Sequence, residues 1–324
     1  PFVPNNQDER IVRCLEILHI QAQGLATRLS KIHCKDVVIG ISGGLDSTLA
    51  LLVCHEAFKI NNYDSKGIHA ITMPGFGTTK RTKSNAQILM DLLHVSSEEI
   101  SIVDGVNQHF KDIHHDPEVH DITYENSQAR ERTQILMDLS NAYNAIVVGT
   151  GDLSELALGW CTYNGDHMSM YAVNASVPKT LVRYIVESVA LKDEILHDVL
   201  MDICDTPVSP ELLPPDKNGK IAQKTEEVLG SYDLHDFFLY QMLRHHDEPK
   251  KIYDLACVAF KDLEKETIKK AITTFYNRFF TQQFKRNCMS DGVKVGSICF
   301  SPRGDWRMPS DASRNLWTKQ VEEI

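Results

Sequence analysis

Val37-Val38-Ile39-Gly40-Ile41-Ser42-Gly43-Gly44-Leu45-Asp46-Ser47 is the stretch on which the reading of this chain turns. Five apolar or small residues in a row predict a strand buried on both faces, the kind found inside a parallel sheet. The two glycines let the backbone turn tightly and expose N–H groups with no side chain in the way. A helix predicted from Ser47 to Phe58 adds free amides and the positive end of its dipole, which together favour an anion such as phosphate. Ser42 and Ser47 can donate to phosphate oxygens, and Asp46 can hold a hard cation such as Mg²⁺ against them. The bland alternative is a turn whose Asp and Ser only cap a helix. The strand before and the helix after favour the anion cradle.

Outward from this turn, strands and helices alternate. Residues 9–33 carry an amphipathic helical pattern through Ile11, Leu15, Leu18, Ala22, Leu25 and Leu29. Ile68–Met73 predicts a second strand, stopped by Pro74 and Gly75, and Ala86, Leu89, Met90 and Leu93 share one helix face. Ile100–Val103 predicts a third strand, Glu125–Asn141 a helix and Ala145–Gly149 a fourth strand. The alternation predicts an α/β fold with a doubly wound parallel sheet, its ligands at the carboxyl ends of the strands. Beyond Gly149 helices dominate, over about 179–190, 193–203, 234–245, 250–260 and 265–284. Thr206 to Lys224, rich in Pro and polar residues, reads as a mobile loop able to cover a site. The expected layout is an N-terminal linker and helix over 1–33, a nucleotide-binding α/β core over 34–204 and a helical extension over 205–324.

Bulk properties narrow the classes. The 324 residues carry a formal charge of −10, with no Lys/Arg stripe, which argues against a nucleic-acid partner. No run of eighteen apolar residues is present, so no membrane span is predicted. The eight cysteines are scattered without a CxxC pair and read as reduced thiols of a cytoplasmic protein. His109, His114, His115 and His120 lack the spacing of a tetrahedral zinc set with cysteines. Arg303-Gly304-Asp305 reads as a loop.

The Ser42–Ser47 turn is not the Walker form and resembles the loop of the ATP pyrophosphatase superfamily, which implies ATP cleaved between its α- and β-phosphates. Further motifs narrow the resemblance: Tyr124–Arg132, Gly149-Thr150-Gly151-Asp152-Leu153-Ser154-Glu155 running on to Trp160, Tyr163–Asp166, Val177–Thr180, Phe284–Arg286 and Ser301–Trp306. In this order they resemble the synthetase domain of glutamine-dependent NAD⁺ synthetases, whose fold is that of the adenine nucleotide α-hydrolases. The resemblance implies ATP-dependent amidation of deamido-NAD⁺ through an acyl adenylate, with release of pyrophosphate and then AMP. It implies ATP contacts at Ser42, Gly43, Gly44, Asp46, Ser47, Thr150 and Lys179, and Mg²⁺ at Asp46 and Glu155. It implies deamido-NAD⁺ contacts at Asn126, Arg130, Glu155, Trp160 and Lys285, and Asp166 is the candidate to take a proton from ammonium.

On spacing alone, Arg130 and Arg132 read as a solvated helix face, Trp160 as core, Glu155 as an exposed helix residue and Lys179 as a surface charge. The resemblance reverses each preference. It further implies a homodimer or larger homo-oligomer and, in a full-length enzyme, an N-terminal glutaminase domain with a cysteine nucleophile. That domain is not recognisable here, and Phe2-Val3-Pro4-Asn5 resembles the link to it, so the expected nitrogen donor for this chain is ammonia rather than glutamine. The rival readings are another amidating or adenylating ligase of the superfamily, such as one like GMP synthetase, and an ATP-binding module without turnover.

Overall fold

The computed structural model describes residues 1–77, 80–206 and 229–324, without the side chains of 80–83. Its first half alternates as expected: α1 (Gln7–Lys31), β1 (Val37–Gly40), α2 (Leu45–Asn61), β2 (Ile68–Thr72), α3 (Lys80–Leu92), β3 (Ser96–Glu99), α4 (Val103–Asp112), α5 (Ile122–Ala142) and β4 (Ile146–Gly149). Then follow α6 (Leu153–Leu158), β5 (Tyr171–Ala172), α7 (Lys179–Ala190) and α8 (His197–Cys204). After the next described residue, Leu229, come α9 (Tyr232–Tyr240), α10 (Pro249–Ala259), α11 (Lys265–Thr281), α12 (Gln283–Arg286) and α13 (Asn315–Glu322). Except for Thr206, the segment read as a lid lies outside the described residues.

The five strands run parallel in the order β3-β2-β1-β4-β5. Val37 sits opposite Ile68 on one side and Ile146 on the other, so β1 is central and its side chains are buried on both faces. On one face α1, α2, α7 and α8 close a core around Leu25, Leu49, Val53 and Ile185. On the other, α4 and α5 cover Val38, Ile71, Phe110 and Tyr124. Helices α9–α11 and α13 form a third cluster around Phe238, Phe275 and Phe279, which also takes in Leu153 and Leu158 of α6. The order of connection reverses between β1 and β4. The crevice where ligands bind in such sheets therefore opens between the turn after β1 and the turn after β4.

The sheet departs from the sequence reading at two places. The third strand is Ser96–Glu99, four residues before the apolar run at Ile100–Val103. It is an edge strand with one side exposed, so backbone pairing to β2 suffices and its side chains can be polar. Ile102 instead fills the core beneath α4. β5 is only two residues long, too short to leave a periodic signal.

His235 of α9 is buried between aromatic rings and bonds the Leu229 carbonyl through Nε2 at 2.8 Å. Burial lowers its pKa to about 4, so the fold holds it neutral. The unfolded chain takes up that proton near pH 6.5, and a group depressed in this way contributes stability above about 6.5 that is lost as pH falls toward 4. Thermal melts across this window are expected to show a shallower loss of stability at low pH in His235→Gln than in the parent chain.

Candidate active site

The turn after β1 takes its shape from its own residues. Gly43 adopts φ +84°, the left-handed region where a side chain would be strained, and Gly44 is the N-cap of α2. The Ser42 and Ser47 hydroxyls lie 3.1 Å apart, Ser42 Oγ accepts from Gly44 N at 3.2 Å, and Ser47 Oγ donates to Gly44 O at 3.1 Å. Asp46, in the first turn of α2, points away from this ring of hydroxyls toward the turn after β4.

The turn after β4 is built around α6. Asp152 is its N-cap, with Oδ1 accepting from Glu155 N at 2.9 Å while Glu155 Oε2 accepts from Asp152 N at 3.4 Å. This reciprocal capping box fixes the Glu155 side chain against its own helix. Asn174, fully buried, ties the two turns together by donating to Asp46 O and to Thr150 O, each at 3.0 Å.

Lys179, at the start of α7, closes the arrangement. Its Nζ lies 2.7 Å from Asp46 Oδ2, 2.7 Å from Asp152 Oδ2 and 2.9 Å from Glu155 Oε1, and the face of Tyr232 stands 5.4 Å away. Burial opposes the ammonium, but the three carboxylates outweigh it and hold the Lys179 pKa well above its ordinary value. Burial pushes Glu155 up to about 7 against the pull of Lys179, and raises Asp152 as well. Oxygen atoms of the three acids lie within 4.8 Å of one another, and Asp46 Oδ1 is buried without a hydrogen-bond partner among the described residues. An all-oxygen donor set with net negative charge and an unsatisfied buried oxygen fits a hard divalent cation. Behind it, the buried Asp236 accepts from Ser154 Oγ, from Thr180 N at 3.0 Å and from Thr180 Oγ1 at 2.7 Å, locking α6 to the start of α7.

A cavity of about 740 Å³ spreads from these acids. Ser42, Gly44, Asp46, Ser47, Thr150 and Glu155 line one end, and Asn126, Arg130, Trp160, Asp166 and Lys285 line the rest. Of the residues expected from sequence, Gly43 and Lys179 alone do not face it; Lys179 lies beneath Asp46 and Glu155, which are its partners. Asn126 Oδ1 accepts from Thr162 Oγ1 at 2.8 Å, and Arg130 Nε donates to Tyr163 O at 3.3 Å. Asp166 is exposed on the cavity wall, accepts from Thr162 N at 2.8 Å, and has its pKa raised by desolvation among the groups around it.

The far wall is cationic. Lys285 Nζ donates to Gly159 O at 2.7 Å and Cys161 O at 2.6 Å, and Arg278 donates to Leu158 O at 2.8 Å and Gly159 O at 3.3 Å. Arg286, fully buried, donates to Leu156 O at 3.0 Å, Ala157 O at 2.8 Å and Phe279 O. These side chains satisfy the free carbonyls at the end of α6, and Arg278 also lies 5.3 Å over the Trp160 ring. Neither Asp152, Asn174 nor this arginine cluster was singled out from sequence. Each acts through groups far along the chain, and the cap signature of Asp152 with Glu155 was the one local clue.

Cys288 Sγ approaches His167 Nε2 at 3.5 Å, which invites a nucleophile–base reading. The geometry opposes it. His167 Nε2 bonds the Lys285 carbonyl at 2.9 Å, so it carries the proton, while Nδ1 accepts from Asn164 N at 3.2 Å. Neither nitrogen is left to take a thiol proton.

A family profile described as NAD synthase matches residues 17–288. Glutamine-dependent NAD(+) synthetase of Mycobacterium leprae is 41% identical over 349 aligned positions, covering 99% of this chain. The chain spans about half that relative's length, 51%. A crystal structure of a glutamine-dependent NAD(+) synthetase from Cytophaga hutchinsonii superposes with a TM-score of 0.78 at 20% identity, over 96% of this chain and 56% of that one. A glutamine-dependent NAD+ synthetase from Acinetobacter baumannii in complex with adenosine diphosphate gives 0.53 at 25% identity, over 92% of this chain and 49% of that one.

Gly159 ends α6 at φ +57° and its carbonyl accepts from both Arg278 and Lys285, while a Cβ there would overlap the Gln282 side chain. Gly159→Ala is expected to cost at least about 1–2 kcal/mol from backbone conformation alone, more with the overlap, and to lower the melting temperature by several degrees. Differential scanning calorimetry checks it.

Proposed function

This chain belongs to the NAD synthase family, and from that premise we propose that it forms NAD⁺ by ATP-dependent amidation of deamido-NAD⁺. The observation that carries the reading is that one cavity holds all of these groups: a phosphate-sized turn, two acids that suit a cation, and a wall bearing Asn126, Arg130 and Trp160. In the first step the nicotinate carboxylate attacks the α-phosphorus of ATP, forming the acyl adenylate and expelling pyrophosphate. In the second, ammonia attacks the acyl carbon, loses a proton, and AMP leaves.

The residues act by holding and neutralising rather than by covalent attack. Backbone N–H groups of Gly43, Gly44 and the start of α2, with the Ser42 and Ser47 hydroxyls, receive triphosphate oxygens, and Thr150 borders the same end. Asp46 and Glu155 would hold Mg²⁺, which supplies charge neutralisation at the phosphates when bound. Lys179, beneath both acids, fixes their spacing. Asn126, Arg130 and Lys285 would border the acceptor dinucleotide, and Trp160, with Arg278 5.3 Å over its ring, would offer a face to the nicotinate ring. Asp166, exposed on the same wall with its pKa raised, is the group to which we assign the proton taken from ammonium.

Ammonia is the nitrogen donor we propose for this chain. The bonded state of both His167 nitrogens supports that choice over a Cys288 nucleophile. Glutamine use, through a glutaminase domain, belongs to the proposed whole enzyme, whose relatives are about twice as long. We place it in the cytoplasm as a homodimer. Unpaired cysteines and the lack, among the described residues, of any helix long and apolar enough to cross a membrane are in keeping with that location.

The test is incubation of the purified chain with ATP, Mg²⁺, ammonium and deamido-NAD⁺, following pyrophosphate release and NAD⁺ by mass. Equimolar NAD⁺, AMP and pyrophosphate are expected, and Asp46→Ala is expected to reduce turnover at least about 100-fold. Turnover with XMP instead of deamido-NAD⁺ would overturn the substrate assignment.

A further inference from the structure

Asp152 is completely buried and does not face the cavity, yet it bonds both Glu155 and Lys179 and lies within 4.8 Å of an Asp46 oxygen. Its Oδ1 caps α6 at Glu155 N, its own N–H is bonded by Glu155 Oε2, and its Oδ2 lies 2.7 Å from Lys179 Nζ. Lys179 is therefore held from below by an acid that solvent and ligands do not reach, and from above by the two acids that line the cavity.

The electrostatic consequence follows from counting charges. Asp46, Asp152 and Glu155 present three carboxylates to one ammonium. If Lys179 had only Asp46 and Glu155 as partners, its charge would compete at close range with any cation those acids hold, at a depth where screening by water is weak. With Asp152 beneath it, the ammonium is already balanced, and the negative charge of the cavity-facing pair remains available. The pair is also kept in shape, because Lys179 bonds one oxygen of each acid while Asp46 Oδ1 remains buried without a hydrogen-bond partner among the described residues.

We propose that Asp152 is a positioning residue that serves as the permanent counter-ion of Lys179, freeing the Asp46–Glu155 pair to bind a divalent cation. The inference rests on the reading of that pair as the cation site, and goes beyond it by assigning a role to a residue that touches neither cation nor substrate. Asn at this position keeps the side-chain oxygen that caps α6, so Asp152→Asn removes the charge while sparing the helix start.

The experiment measures Mn²⁺ binding to the purified chain by electron paramagnetic resonance, with no nucleotide present, and checks folding by circular dichroism. Asp152→Asn is expected to weaken Mn²⁺ binding about 10-fold or more, the range seen when a partner behind a metal ligand is removed. The double variant Asp152→Asn with Lys179→Met, which removes the unbalanced ammonium as well, is expected to bind Mn²⁺ several-fold more tightly than the single variant, recovering part of the lost affinity. A helix-capping role alone cannot produce that rescue. Unchanged binding in Asp152→Asn, or a double variant as weak as the single one, overturns the inference while leaving the cation site standing. A parent chain that does not bind Mn²⁺ at all overturns the cation reading and the inference with it.

Discussion

The Lys179 ammonium, surrounded by Asp46, Asp152 and Glu155, is the interaction on which the rest of the site depends. Three carboxylates so close together would repel one another and lose hydration on burial, so neither turn could hold its acid in place alone. One cation shared among them joins the turn after β1, the turn after β4 and the start of α7. The sheet order explains why these segments meet. β1 and β4 are neighbours at the point where connections reverse, and their carboxyl ends deliver Asp46 and Glu155 to opposite lips of one crevice.

Around that centre the polypeptide supplies rigid support. Asn174 bridges the two turns through backbone carbonyls, and Asp236 locks Ser154 to Thr180 behind them. At the other end of α6, about 9 Å away for a helix of this length, Arg278, Lys285 and Arg286 take up its free carbonyls. The helix is thus fixed by an acid at its positive end and by cations at its negative end, both favourable to its dipole. A short helix has little stability of its own, so this double capping is what lets Glu155 and Trp160 keep a defined place. The cavity consequently has an acidic end and a basic wall, a polarity suited to a substrate that brings anionic groups of its own.

Much of this was legible in the sequence because it is local. The strand, the glycine turn and the helix after it follow from residue type and order, and the structure places Asp46, Glu155, Asn126, Arg130 and Trp160 about one cavity. What was not legible is non-local. Lys179 reads as a surface charge at a helix start, and only the fold reveals that Asp46, far away in sequence, is its partner. Asp152 looks like an ordinary cap until α7 brings the ammonium against it. The third strand was misplaced because an edge strand needs backbone partners more than apolar side chains, whereas the apolar run after it packs under α4. Arg286 gives no signal either, since its partners are carbonyl oxygens, which every residue carries.

We propose that the Ser42–Ser47 turn receives nucleotide phosphates beside a cation held by Asp46 and Glu155. A crystal structure of the chain with a non-hydrolysable ATP analogue and Mn²⁺, recorded at the manganese edge, tests it most directly. The expected result is an anomalous peak within bonding distance of an oxygen of Asp46 and an oxygen of Glu155, with phosphate density against the backbone of Gly43 and Gly44. Nucleotide bound elsewhere, or a turn free of phosphate with no peak between those two acids, would contradict it.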